Sequence, residues 1–144
     1  DKSEIYIFTE VHHGHYMSAK LMLRENPFFG VGPKNFKIKC KEQQYKHYRA
    51  RCEIHPHNYY VQLFAELGFF GGIFLLLIFL VISFKLFKIF IKIDKEKDSK
   101  TILLIALFIF IWPIVPHGNF FNNWNIMLII MTSSLYKHLS YKLT

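Results

Sequence analysis

The chain has 144 residues, near the length of one domain, and 52% of them are hydrophobic, too many for a disordered polymer. Charge is unevenly spread: residues 1–57 hold 10 of the 18 Lys and Arg, while none of Asp, Glu, Lys or Arg lies between Thr101 and Tyr136. That division excludes a single soluble globule and predicts a polar, basic head followed by a membrane-type tail. No basic segment followed by a short apolar run opens the sequence, so no signal peptide is read at Asp1. The chain therefore reads as the C-terminal piece of a longer all-α polytopic membrane protein, with the head, residues 1–57, outside the cytoplasm.

Within the head, Tyr16–Arg24 carries apolar positions at helical spacing, and Asn26-Pro27 ends the helix because a residue before proline avoids the α region. The segment Phe28–Phe36 is turn-rich, and Gly30-x-Gly32 predicts a tight turn with positive φ rather than a phosphate loop, since no strand precedes it. Cys40 and Cys52 are the only cysteines. In an extracytoplasmic head they read as a disulfide closing a short loop. Metal ligation together with His47, His55 or His57 is the alternative, although the spacing fits no standard zinc pattern. His12, His13 and His15 form a further cluster, read as solvated loop sequence, that keeps the metal alternative open.

The stretch Cys52–Gly72 is the most informative. His55-Pro56-His57-Asn58 stands immediately before the first apolar helix, and a proline suits a first helical turn. His57 and Asn58 are expected in that turn, near unpaired N–H groups and the positive end of the helix dipole. Asn58, Gln62 and Glu66 follow at four-residue steps and form one polar stripe. It faces either lipid head groups or a protein interior, and a carboxylate at the membrane edge favours the interior. Gly68 and Gly72, with Gly71 beside them, read as a small-residue face for close helix packing.

Residues 58–93 are expected to form the first transmembrane helix, with an uncharged run from Leu67 to Phe84 and with Lys85, Lys88 and Lys92 snorkelling at its far end. Residues 94–100 form a cytoplasmic loop. Residues 101–139 form a short transmembrane hairpin, about Thr101–Val115 and Phe120–Leu139, with a re-entrant pair as the alternative; residues 140–144 are a cytoplasmic tail. The orientation follows from six lysines in residues 85–100 against none in 117–125.

His57-Asn58, a nine-residue step and Gly68-x-x-Gly71 resemble the signature of the bacterial superfamily of O-antigen ligases, O-antigen polymerases and protein O-oligosaccharyltransferases. Asn26-Pro27-Phe28-Phe29-Gly30-Val31-Gly32 with Phe36 resembles a second block of that family, and Tyr16 and Ala19 sit where its preceding helix has them. The resemblance spans roughly residues 12–80. It implies a cofactor-independent, metal-independent glycosyltransferase at the outer face of the bacterial inner membrane. Such an enzyme passes a glycan from a polyprenyl diphosphate carrier to a hydroxyl of lipid A core, a growing polysaccharide or a protein, and takes no nucleic acid. The family's essential histidine maps onto His57. Where the family is expected to have an arginine before Tyr16, this sequence has His12.

The residues support the same chemistry. Transfer to a hydroxyl needs a base, which neutral histidine supplies near pH 7. The diphosphate leaving group needs cations; Arg49 and Arg51 are the first candidates, with Arg24 and Lys37 behind them. Asn58, Gly68, Gly71, Gly30 and Gly32 are expected to support the motif. From another class comes a non-enzymatic membrane protein whose outer histidines bind a metal or sense pH. A truncated, inactive fragment is the third reading.

Overall fold

A computed structural model describes residues 9–91 and 99–141, and all of its long elements are helices. α1 spans Glu10–Glu25, α2 Phe36–Lys39, α3 Tyr59–Ile91, α4 Ser99–Phe110 and α5 Asn123–Tyr141. Most of the lysine-rich 94–100 turn and of the 140–144 tail lies outside the described residues.

α1 begins earlier than its apolar periodicity suggests. Thr9 caps it, its hydroxyl accepting from the His12 N–H at 3.4 Å. The histidine run is therefore helical, not loop; α1 packs on α3 and on the 47–57 segment, and Gly14, His15, Ser18, Ala19 and Met22 are buried. Asn26 closes the helix through its N–H to the Met22 carbonyl, and Pro27 prevents its continuation.

α3 is two helices joined at a break. Gly68 has φ 67° and ψ −158°, a conformation essentially confined to glycine. The break leaves carbonyls of the preceding turn free, and the Asn26–Gly32 loop fills them. The Val31 N–H donates to Ala65 O at 3.0 Å, Gly32 N–H to Glu66 O at 2.9 Å, and Phe69 N–H returns to Pro27 O at 2.7 Å. A methyl group at Gly68 would enter the Phe28 carbonyl, and one at Gly30 (φ 64°) the Glu66 backbone. The glycines expected to pack helix against helix thus serve the break instead. A methyl group on Gly71 would meet Leu67, and one on Gly72 would meet Phe64, both on the helix that precedes the break.

Two apolar cores flank the first turns of α3. On the head side Ala19, Met22, Phe36, Cys40, Tyr45, Cys52 and Ala65 pack together. On the other side Tyr59, Tyr60, Leu63, Leu75, Ile82 and Leu86 pack on Leu104, Leu107 and Ile111 around α4. α5 packs against α4 and contributes no fully buried residue.

Among the described residues one helix, Tyr59–Ile91, is long and apolar enough to cross a membrane. Its part beyond Gly68 is about 35 Å long at 1.5 Å per residue, close to a hydrocarbon core of about 30 Å. Phe70, Phe74, Leu77, Leu80, Val81, Phe84 and Phe87 stand exposed along it. α4, at 12 residues, is shorter than a span needs, and Pro113 and Pro116 prevent its extension.

Cys40 and Cys52 are bridged, with Cα atoms 5.4 Å apart. The bridge ties the end of α2 to the segment that leads to His57. Replacing both cysteines by serine should cost roughly 3 kcal/mol of head stability by the chain-entropy estimate. Thermal melts with and without reductant test this; an unchanged midpoint would show the bridge to be dispensable.

Candidate functional site

His57 sits two residues before α3 rather than in its first turn, and its backbone is left-handed (φ 60°). Asn58 is the capping residue. Its Oδ1 accepts from the N–H groups of Tyr60 at 3.0 Å and Val61 at 3.2 Å. Its Nδ2 donates to Pro113 O at 2.7 Å, and the Tyr60 hydroxyl donates to Ile111 O at 2.7 Å. Both acceptors are carbonyls left over where α4 stops. The His117 N–H donates to His57 O at 2.8 Å, so the 111–121 loop is fastened to the His57-Asn58 step from below.

The rest of the polar stripe is internal wiring. Gln62 and Glu66 are fully buried. Gln62 Nε2 reaches Asn119 Oδ1 at 2.9 Å and Glu66 Oε2 at 3.0 Å, and Gln62 Oε1 accepts the Phe120 N–H. Glu66 Oε1 accepts the Phe36 N–H at 2.8 Å, anchoring α2. One face of α3 thus joins the head, the helix break and the 117–121 loop. It does not face lipid head groups.

Around His57 lies a cluster that its position alone did not announce. Nε2 is 2.7 Å from Glu53 Oε2. Its ring lies 4.4 Å from that of His55, 5.1 Å from His12 and 5.8 Å from His15, the last stacked at 26°. Hydrogen bonding to His57 holds the Glu53 carboxyl below its ordinary value. Burial pushes His55 down, with His57 adding to the effect.

His15 is fully buried, and neither ring nitrogen has a hydrogen-bond partner. Burial lowers its pKa from 6.5 to about 4, against an opposing pull from Glu53. Between those values the unfolded chain binds a proton that the folded one refuses. This group therefore leaves stability intact above pH 6.5 and lowers it as the pH falls toward about 4. Melts at pH 7 and pH 5 should show the loss, and His15→Leu should shrink the difference between them. Equal acid sensitivity in the variant would contradict the assignment.

Beside this cluster a pocket of about 410 Å³ is lined by Lys37, Lys41, Arg51, Cys52, Glu53, Ile54 and His55. The Cys40–Cys52 bridge holds its two walls together, the α2 turn supplying Lys37 and Lys41 and the 51–55 segment the rest. Lys37 and Arg51, both expected as diphosphate partners, meet here. Arg49 is outside this lining, with its guanidinium over the Tyr48 ring at 4.8 Å. Arg24, in the last turn of α1, is twelve residues from His12, about 18 Å along the axis. It is separated from the cluster. Lys41 and Glu53 were not anticipated. Their signals were spacing: Lys41 is one turn beyond Lys37, and Glu53 four residues before His57.

Metal ligation by Cys40 and Cys52 together with a histidine needs thiolates that the disulfide has consumed. Among the described residues no group of three or more His, Cys, Asp or Glu is placed to hold a metal ion.

Comparison with known proteins gives one family: residues 15–76 match the model described as O-antigen ligase. The matched segment runs from His15 through the loop, the bridge and His57 to the far side of the Gly68 break. No curated protein and no solved structure matches the chain.

Proposed function

We propose, from the match of residues 15–76 to the O-antigen ligase family, that the chain carries the glycan-transfer site of a membrane glycosyltransferase. The donor is a glycan on a polyprenyl diphosphate, and the acceptor is a hydroxyl of lipid A core, a growing polysaccharide or a protein. One observation carries this reading. His57 shares the Glu53–His55 wall with a pocket lined by Lys37, Lys41 and Arg51, so a base and an anion site adjoin at the start of an apolar helix.

In the proposed reaction His57 takes the acceptor hydroxyl proton as the oxygen attacks the anomeric carbon. The bond between that carbon and the diphosphate oxygen breaks, and its electron pair leaves with the diphosphate. The pocket cations stabilise the charge arriving there. The imidazolium then returns its proton to water.

The stretch of α3 beyond Gly68 would stand in the bilayer, with the head and the 117–125 loop on the periplasmic side of the inner membrane, in keeping with the lysine asymmetry. α4 and α5 would form the short hairpin beneath the site.

A charged hydrogen bond is worth about 1.5–3 kcal/mol, so Arg51→Gln should raise KM for lipid-linked donor by roughly 10- to 100-fold. Arg51→Lys should recover part of it, since lysine keeps the charge but not the planar fork. Arg24→Gln should leave KM unchanged. Steady-state kinetics on membranes carrying the native gene product test this; wild-type KM in Arg51→Gln would remove the pocket from the reading.

A further inference from the structure

We propose that Glu53 is the positioning residue for His57: it fixes which ring nitrogen carries the proton and stabilises the imidazolium formed during transfer. The inference rests on the glycosyltransferase reading above and deepens it.

Its basis is geometric. The Glu53–His57 contact, at 2.7 Å, lies in the range of a strong charge-assisted hydrogen bond. An ionised carboxylate only accepts, so Nε2 must bring the hydrogen. Nδ1 is then the nitrogen with the free lone pair, and the base that meets the acceptor hydroxyl is Nδ1. When Nδ1 takes that proton the ring becomes a cation with Glu53 already in contact.

The local backbone is shaped to make this contact. Glu53 and His57 are four positions apart, yet the segment between them is not helical, and Pro56 and the left-handed φ of His57 turn the chain. Left-handed backbone outside glycine costs roughly 1–2 kcal/mol. Strain of this kind collects at functional sites. The Cys52 end of the disulfide immediately precedes Glu53 and is also left-handed, at φ 52°.

The surroundings make a carboxylate necessary. From α1, His12 and His15 face the His57 ring, and His55 faces it from its own segment. The 111–121 loop brings His117, whose N–H holds the His57 carbonyl. Arg51 acts on Glu53 from the pocket side. Imidazolium formation amid three other imidazoles is unfavourable without an anion, and Glu53 is the carboxylate in contact with the ring.

Glu53 also lines the cationic pocket, which gives a rival role as a counter-charge there. The two roles predict opposite kinetics for Glu53→Gln. As a positioning residue, its loss lowers kcat by about 10- to 10⁴-fold, between the loss of a partner that orients a metal ligand and the loss of a carboxylate that orients a histidine base. The acid limb of the pH–rate profile moves to lower pH, because the imidazolium loses its stabilising anion. Glu53→Asp, keeping the charge at a shorter reach, recovers part of kcat. As a counter-charge only, removing the anion tightens donor binding, so KM falls and kcat and the profile stay.

The experiment measures kcat, donor KM and the pH–rate profile for wild type, His57→Ala, Glu53→Gln and Glu53→Asp, with melting midpoints for each. A drop in kcat with a displaced acid limb and partial rescue by aspartate establishes the proposal. Wild-type kcat and profile in Glu53→Gln overturn it, as does a kcat loss that tracks the melting midpoint without displacing the limb. A fully active His57→Ala instead defeats the underlying reading of the site, so the two failures are distinct.

Discussion

Replacing His57 by alanine should stop glycan transfer, lowering the rate by about 10²–10⁴-fold, the range for loss of a general base. The protein should still fold and insert. The His57 side chain is 28% exposed and belongs to neither apolar core. The helix start that it precedes is capped by Asn58, not by the imidazole. His57→Gly makes the sharper test. Glycine accepts positive φ without the Cβ penalty, so this variant should be about 1 kcal/mol more stable than the alanine variant, no less stable than wild type once relief of strain offsets the lost Glu53 contact, and as inactive as the alanine variant. Calorimetry with a transfer assay checks both. A glycine variant that is less stable than wild type would mean that the ring holds the loop together, not that it waits for substrate.

Gly68→Ala should be the most damaging small change outside the His57 cluster. The backbone there is confined to glycine, a cost of about 1–3 kcal/mol for any other residue. The added methyl also collides with the Phe28 carbonyl, so the Asn26–Gly32 loop must lift. With it go the bonds from Val31 and Gly32 to Ala65 and Glu66. Total destabilisation should exceed about 3 kcal/mol. Activity should fall as well, because Glu66 holds Phe36 and hence the α2 turn that carries Lys37. Limited proteolysis at the 26–36 loop and a thermal melt would report it. An unshifted midpoint would contradict the account of the break.

Residue patterns made some of this legible and hid the rest for physical reasons. Asn26-Pro27 marked the end of α1 because proline restricts its neighbour locally. Gly30 and Gly32 are left-handed, as a turn without side chains allows. The start of α1 was missed: its histidines add nothing to the apolar periodicity, and the helix is fixed by a Thr9 cap and by burial of His15 against Phe36 and His57. The role of Gly68 was missed too. Small residues at four-residue spacing suit both a packing face and a break, and only the docking loop from residues 26–32, far away in sequence, decides between them. His57-Asn58 was visible as a motif. The pairing of His57 with Glu53 and the meeting of Lys41 with Arg51 depend on how the disulfide-closed loop turns, which local propensity does not encode.

The measurement that bears most directly on the central claim is transfer by purified protein in liposomes, supplied with a glycan on polyprenyl diphosphate and an acceptor bearing a free hydroxyl. Mass spectrometry would follow both products. Wild-type protein should release one polyprenyl diphosphate for each glycan joined to the acceptor, and His57→Ala should give neither product above background. Glycan transfer at the wild-type rate by the His57→Ala protein would contradict it.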